Sequence, residues 1–267
     1  MRKPRPFIEI LSSSLHGDYK FPILEILAFL FVLSTFVFAN IGGWGSTGAS
    51  EQFVVFSIVR SLMGLPLFIL VMLLLRNIAS GIGNDLEKGT IQTLLAYPLK
   101  RRSILTAKLL SGFGVAILLF LGIQISALYI LTPDMVAPNL PVVLLSYAAN
   151  ISSPLLIASV TLLMALVLRK GSLGVVVGIM FFFLFGIMAS LVSFMSQAMN
   201  SILPMQLYSL VSPSFCLDFY YASLNQYAHV FWAPSFSEAL VYIGAGYGIS
   251  AFLFCLSYLY FCRRLNL

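Results

Sequence analysis

The sequence predicts an all-α polytopic membrane protein with six transmembrane helices, and three observations support this. First, 60% of the 267 residues are hydrophobic and only 9% are charged, whereas about 25% are charged in a typical soluble domain. Second, the apolar residues form long continuous runs without the period-two alternation of barrel strands. Third, lysine and arginine gather in alternate connections between these runs. A soluble enzyme and a disordered chain are both excluded, since each needs far more polar surface.

Six apolar runs are long enough to cross a hydrocarbon core of about 30 Å as helices. They cover about residues 21–39, 53–79, 104–131, 142–168, 173–195 and 239–261. Helices are expected because backbone polar groups find no water inside the bilayer. The basic N-terminus resembles that of a signal peptide, but the first run is longer than a usual h-region, so we predict a retained helix. Residues 1–267 are interpreted as one transmembrane domain.

The basic residues determine the predicted orientation. With the N-terminus inside, 14 of the 15 lysines and arginines fall on the cytoplasmic side, and Arg60 is the exception. The outer segments contain Glu51, Asp134, Asp218 and Glu238 but no lysine or arginine. We therefore predict a multi-pass protein of the cell membrane with both termini cytoplasmic. Topology explains the net charge of +6, so no nucleic-acid partner is predicted.

Two segments outside the runs have a composition typical of membrane interfaces. Residues 5–16 mix apolar and polar side chains, so we expect them to lie along the inner membrane surface. Residues 196–238 are rich in aromatic residues and are interrupted by Pro204, Pro213 and Pro234. Aromatic rings favour the headgroup level. We therefore predict short re-entrant or interfacial helices at the outer face before the sixth span.

The cytoplasmic excursion at residues 80–103 contains helix signals of its own. Asn84 followed by Glu87 is a variant of the capping box, and Pro98 ends a helical pattern. We predict a short helix over about residues 85–97. Two interpretations remain open: a lever that is moved by another subunit, or an interfacial loop whose Lys100, Arg101 and Arg102 bind anionic headgroups.

The run EKGTIQTLLAYPLKRRSILTAKLL, which begins at Glu87, resembles the signature of the ABC-2 family of ABC-transporter permeases. The matching residues are Glu87, Gly89, Thr90, Leu94, Leu95, Pro98, Arg101 or Arg102, and Lys108. The run also lies where such permeases carry it, between spans two and three of six. The pair Ser212-Pro213 before the last span resembles the family as well.

The resemblance implies that the excursion is a coupling helix seated in a cleft of a separate ATPase subunit. Three docking residues, Glu87, Gly89 and Thr90, correspond to the family motif. Helical proximity adds Asp85, Lys88, Ile91, Thr93 and Leu94. The resemblance further implies an exporter in which two copies, or one copy and a related permease, pair with ATPase subunits.

The sequence itself contains no G-x-x-x-x-G-K-[ST] run for binding nucleotide phosphates. ATP and magnesium are therefore expected in the partner subunit, with no cofactor or catalytic residue in this chain. Cys216, Cys255 and Cys262 have no metal-ligand spacing, so no metal site is predicted either.

Arg60 is the one basic residue predicted to lie within the outer part of a span. Intramembrane charges are candidates for functional sites. Arg60 is interpreted either as lining a substrate pathway, as pairing with Glu51 or Asp134, or as snorkelling to the outer interface.

Two other functions compete with an ATP-driven permease. An ion-coupled secondary carrier or channel would need paired charges near the bilayer midplane or broken spans in related positions, and the span centres are nearly free of charge. An intramembrane enzyme acting on lipid would need an acid, a base and a nucleophile or metal ligands, and the sequence suggests no such constellation.

Overall fold

The computed structural model describes residues 6–20, 22–41, 50–91, 93, 101–225 and 230–263, and all regular structure within these ranges is helical. The helices are α1 (Pro6–Asp18), α2 (Ile23–Ile41), α3 (Glu51–Glu87), α4 (Arg101–Leu131), α5 (Pro133–Val136), α6 (Leu140–Leu168), α7 (Gly171–Ala198), α8 (Leu203–Ser209), α9 (Pro213–Ser223) and α10 (Phe236–Arg263). Helices α3 and α4 each contain a short π-helical segment, Ala79–Gly83 and Leu110–Gly114.

Five of these helices, α3, α4, α6, α7 and α10, are long and apolar enough to cross a membrane. The bent pair α1–α2, with 63° between its helices, brings the number to as many as six. The prediction of an all-helical polytopic membrane protein is confirmed for the described residues. Most helix ends lie within three residues of the predicted runs, but α3 extends to Glu87 instead of ending near residue 79.

Helix α6 is at the centre of the bundle, where it packs against α3, α7, α9 and α10. Small hydroxyl residues permit this close packing, and the hydroxyls of Ser159 and Thr161 bond within the helix. Ser159 Oγ donates to the Leu156 carbonyl at 2.7 Å, and Thr161 Oγ1 donates to the Ile157 carbonyl at 2.8 Å. Their polar atoms are thereby satisfied without water.

One end of the bundle gathers the basic side chains and is called the basic end here. It comprises the C-terminal ends of α3, α6 and α10 and the N-terminal ends of α4 and α7, with Arg76, Lys108, Arg169 and Arg263 among its residues. Helix α1 packs there against the first part of α4. A sharp bend before α2 is the geometry expected of a surface helix that leads into a span.

The short helices α8 and α9 begin where prolines occupy their first turns, Pro204 and Pro213. Several aromatic residues of this segment are packed inside the protein. Tyr208, Phe215 and Tyr221 are buried, and so is Trp232 in the connection that follows. Because α9 packs against α3, α6 and α10, these rings belong to the core. The structure therefore shows these four rings packed inside the protein, and their depth in the membrane stays a prediction.

Candidate functional site

The segment predicted as a separate coupling helix begins as a continuation of α3. Asn84 has helical torsions, φ −64° and ψ −34°, and no side chain caps a new helix at this point. The expected capping box between Asn84 and Glu87 is therefore wrong. The π-helical segment Ala79–Gly83 continues α3 through Gly81 and Gly83.

The chain turns after Glu87, at Lys88 and Gly89. Gly89 has φ 69°, in the left-handed region that glycine occupies without a steric penalty. Its N–H points back to the Leu86 carbonyl, 3.4 Å away, in the manner of a helix C-terminus. The predicted helix over residues 85–97 is thus interrupted at this turn. Thr90, Ile91 and Thr93 are helical again, whereas Leu94 and the predicted end at Pro98 lie outside the described residues.

The predicted docking residues fall into two groups. Glu87, Lys88, Thr90 and Thr93 are exposed, and Gly89 is half-buried between them. Ile91 is only 1% exposed and packs in the core. Asp85 is half-buried and forms an ion pair with Lys108. Asp85 and Ile91 therefore face the interior of the protein, and only the exposed group forms a surface that another subunit can contact.

Glu87 caps a different helix from the one expected. Its Oε1 atom accepts a hydrogen bond from the Gly171 N–H at 3.0 Å, at the start of α7. A carboxylate at this position satisfies one of the unpaired N–H groups of the helix and interacts favourably with its dipole. This contact joins the predicted docking surface to the short connection between α6 and α7.

The backbones of α3 and α7 touch beside this cap. A Cβ atom added to Gly171 would lie 2.8 Å from the Ala79 carbonyl oxygen and 2.9 Å from the Gly83 Cα. Real Cβ atoms do not approach so closely, so both glycines are needed where the π-helical segment meets α7. The contact links residues far apart in the sequence, and no local sequence pattern predicted it.

The two π-helical segments are joined by side chains that cross between α3 and α4. Lys108 Nζ, on α4, donates to the Gly81 carbonyl of α3 at 2.6 Å and pairs with Asp85. Asn77 Nδ2, on α3, donates to the Gly112 carbonyl of α4 at 2.8 Å. A π-helical turn interrupts the regular pattern of backbone hydrogen bonds in an α-helix. In each segment a carbonyl accordingly accepts a hydrogen bond from the other helix.

Helix α1 and the residue after it complete this network. The Tyr19 hydroxyl donates to the Gly112 carbonyl at 3.1 Å, and Asp18 accepts a hydrogen bond from Ser111 Oγ at 3.0 Å. Arg76 Nη1 donates to the Asp18 backbone carbonyl at 3.2 Å. Burial raises the pKa of the Asp18 carboxyl, while the Ser111 hydrogen bond and the Lys108 charge oppose that shift. The basic end thus connects α1, α3 and α4 through buried polar contacts.

A second candidate site is a cavity of about 450 Å³ at the opposite end, called the Arg60 cavity here. Its polar lining comes from α3, α6, α8, α9 and the residue before α9, namely Arg60, Ser153, Tyr208, Ser212, Ser214 and Asp218. Its apolar lining includes Phe182, Phe183 and Ile187 of α7. The lining thus combines polar groups with aromatic and aliphatic side chains.

Arg60 forms an ion pair with Asp218 of α9, so the predicted pairing with Glu51 or Asp134 is wrong. Glu51 accepts a hydrogen bond from Asn139 Nδ2 instead, at 2.7 Å. One helical turn from the ion pair, the rings of Phe56 and Tyr221 stack with centroids 4.4 Å apart. Two contacts therefore hold α9 against α3. The sequence offered only one hint of this partner, an acidic residue in an aromatic-rich segment.

Breaking the Arg60–Asp218 pair is expected to loosen α9. Both side chains retain exposure, 51% and 25%, so the expected loss of stability for Asp218→Asn is about 1 kcal/mol. The reversed pair Arg60→Asp/Asp218→Arg should recover much of that loss. Thermal unfolding in detergent measures the stability, and limited proteolysis between α8 and α10 reports on α9. A reversed pair as unstable as Arg60→Asp alone would contradict the attachment role.

Comparison with known proteins was made on the whole chain. No curated protein matches it significantly. The model of the ABC-2 family transporter proteins matches residues 67–264, which include most of α3 and all of α4 to α10. This match covers about three quarters of the chain, including the residues of α3 and α4 in the network at the basic end and most of the Arg60 cavity. We therefore conclude that this multi-pass membrane protein belongs to the ABC-2 family of transporter proteins.

Proposed function

We propose that the chain is the permease subunit of an ATP-driven exporter and that a separate ATPase subunit docks on Glu87, Lys88, Thr90 and Thr93. The family assignment supports a permease over an ion-coupled carrier. The observation that carries the docking site is the turn at Gly89, because it presents these four side chains at the basic end. Movement of this surface would reach α7 through Glu87 and α4 through Lys108.

The distribution of charge supports an orientation with the basic end in the cytoplasm. Fourteen of the 15 lysines and arginines lie on that side of the proposed topology, as the positive-inside rule requires. The protein would then be a multi-pass component of the cell membrane with both termini cytoplasmic. An ATPase that uses cytoplasmic ATP could approach only from this side.

Hydrolysis is assigned to the partner. The sequence lacks the glycine-rich run and lysine that hold nucleotide phosphates in P-loop ATPases. ATP and magnesium would therefore be bound by the ATPase subunit, and this chain would supply the membrane pathway.

The surface of α7 supports dimerisation. In the most apolar 18-residue stretch of α7, only 11% is buried within the chain, compared with 61% in the corresponding stretch of α6. Phe183, Ile187 and Phe194 are all more than half exposed, and the first two also line the Arg60 cavity. A second copy or a related permease packed on this face would enclose the cavity and create a pathway between two subunits.

Thr90→Trp is the variant that tests the docking site. Thr90 is exposed, so the indole should block the partner without unfolding the spans. Ser13→Trp is the matched control, because Ser13 is exposed on α1 at the same end. We expect co-purification of the ATPase to fall about tenfold or more with Thr90→Trp, because the indole would clash with the partner. A tenfold loss corresponds to about 1.4 kcal/mol of binding free energy.

The measurement uses the tagged chain purified from its native membranes in mild detergent. Subunits that carry a P-loop are quantified by mass spectrometry at equal permease expression, and the chain alone is assayed for ATP hydrolysis. Wild-type chain that recovers no such ATPase, or that hydrolyses ATP alone, would overturn the permease assignment. Equal recovery with Thr90→Trp and Ser13→Trp would move the docking site elsewhere.

A further inference from the structure

A long apolar groove between α4 and α10 is unrelated to the two sites above. It has a volume of about 720 Å³, and its walls include Thr106, Leu110, Phe113 and Ile117 of α4 together with Leu155 and Phe254. The rings of Phe113 and Phe254 meet edge to face with centroids 5.4 Å apart and close its floor. Leu110 is half exposed beside it, so the groove opens to the outside of the bundle.

The walls offer almost nothing for a polar ligand to bind. Thr106 is one of the few hydroxyl residues in the lining, and its Oγ1 atom already donates to the Arg102 carbonyl at 2.8 Å. The rest of the lining consists mainly of leucine, isoleucine, phenylalanine and glycine. Such a surface recognises an aliphatic chain by contact alone.

The length of the groove matches one leaflet of a bilayer. Along α4 it runs from Thr106 to Ile117, which is about 16 Å at the helical rise of about 1.5 Å per residue. Half of a hydrocarbon core of about 30 Å is about 15 Å. One extended acyl chain would therefore occupy the groove from the membrane interface to the midplane.

Both walls end on an arginine at the basic end. Arg102 precedes Thr106 by one helical turn on α4, and Arg263 follows Leu259 by one turn on α10. Residues four apart lie on the same helix face, and both arginines are exposed. Arg263 also lines a neighbouring pocket of about 310 Å³ on α10, beside Leu163 and Leu256. Two arginines thus lie one helical turn beyond the groove lining, at the basic end.

We propose that this groove is a binding site for an anionic phospholipid, with one acyl chain between α4 and α10 and the phosphate held by Arg102 and Arg263. The site requires neither the ATPase nor a second copy of the chain, so it is independent of the proposed function. An anionic lipid bound there would join the start of α4, which carries Lys108, to the end of the last span.

The test measures binding of phosphatidylglycerol to delipidated protein by native mass spectrometry, with phosphatidylcholine of the same acyl chains as the neutral probe. Arg102→Gln/Arg263→Gln should weaken phosphatidylglycerol binding about tenfold and leave phosphatidylcholine almost unchanged, since each basic side chain near a membrane surface contributes to attraction of anionic lipid. Arg169→Gln/Lys170→Gln is the matched control, because it removes the same charge at the basic end away from the groove.

Leu110→Trp provides a second variant that keeps both arginines and fills the groove. It should reduce binding of both lipids. Equal affinity of the wild-type chain for the two lipids would overturn the proposal, as would phosphatidylglycerol binding that survives both Arg102→Gln/Arg263→Gln and Leu110→Trp. Loss of a dimer with Leu110→Trp, without loss of bound lipid, would show that a second copy covers the groove, and this also contradicts the proposal.

Discussion

Lys108→Met is expected to destabilise the protein by about 3 kcal/mol, the lower end of the range for breaking a buried ion pair. The side chains of Lys108 and Asp85 are only 12% and 21% exposed, so Asp85 would keep a charge with little water around it. The Gly81 carbonyl would lose its donor at the same time. Thermal unfolding of the purified protein in detergent measures the change.

The double variant Lys108→Met/Asp85→Leu distinguishes the effect of losing the ion pair from the effect of losing the lysine alone. Replacing both partners removes the uncompensated charge, so the double variant should be more stable than Lys108→Met alone. A double variant that loses the sum of both single effects would mean that the two residues act independently, and the ion pair would not explain the result.

Lys108→Met should also make stability depend more strongly on pH through Asp18. Burial raises the pKa of Asp18 and the Lys108 charge lowers it, so removing Lys108 raises that pKa further. A carboxyl whose pKa is higher in the folded state than in the unfolded state destabilises the folded state when it is ionised. This destabilisation disappears as the pH falls through the folded-state pKa. The loss of stability should therefore be smaller at about pH 5 than at about pH 8. The same loss at both values would contradict this coupling.

Gly83→Ala is expected to have the second large effect. The added methyl group would collide with the Gly171 backbone, which cannot turn aside as a side chain can. Overpacking typically costs about 1–3 kcal/mol, and we expect the upper part of that range because a helix backbone has to move. Since Gly83 and Gly171 bring Glu87 to the start of α7, co-purification of the ATPase should fall as well.

Gly122→Ala is the matched control for this prediction. Gly122 is also a helix-interior glycine, and a Cβ atom there would meet nothing within 4 Å. Alanine should therefore be neutral or stabilise the helix by up to about 1 kcal/mol. Gly171→Ala provides a second variant on the other side of the contact. Thermal stability of Gly83→Ala and Gly171→Ala equal to that of Gly122→Ala would show that the two backbones are not in contact.

Family membership gives the network at the basic end a physical meaning. The proposed docking surface includes Glu87, which joins α3 to α7, and it follows Asp85, which pairs with Lys108 of α4. A displacement there cannot be absorbed locally, because Lys108, Asn77 and Glu87 each bind a backbone group of a neighbouring helix or at its start. A displacement of the proposed docking surface would therefore act on α4 and α7, and α3 and α7 also line the Arg60 cavity.

The sequence alone determined the class of protein, the positions of the long helices and the family. These follow from local properties: a run of apolar side chains makes a helix in a membrane whatever lies beside it, and the run that starts at Glu87 is contiguous. The same reasoning failed where a tertiary contact outweighed a local sequence pattern. Asn84 and Glu87 have the spacing of a capping box, but packing of α3 against α7 favoured a continuous helix. The Glu87 carboxylate instead accepts a hydrogen bond from the Gly171 N–H.

Only the tertiary structure decided which charged and polar groups are partners. Arg60 with Asp218, Lys108 with Asp85, and Asn77 with the Gly112 carbonyl join residues that are far apart in the sequence. A polar group in the low-dielectric interior needs a hydrogen-bond or ion-pair partner. Composition and spacing indicate that such a partner is needed, but they do not identify which residue it is. The helices were predictable because their hydrogen bonds are local, whereas the sites were not, because their hydrogen bonds and ion pairs depend on how the helices pack.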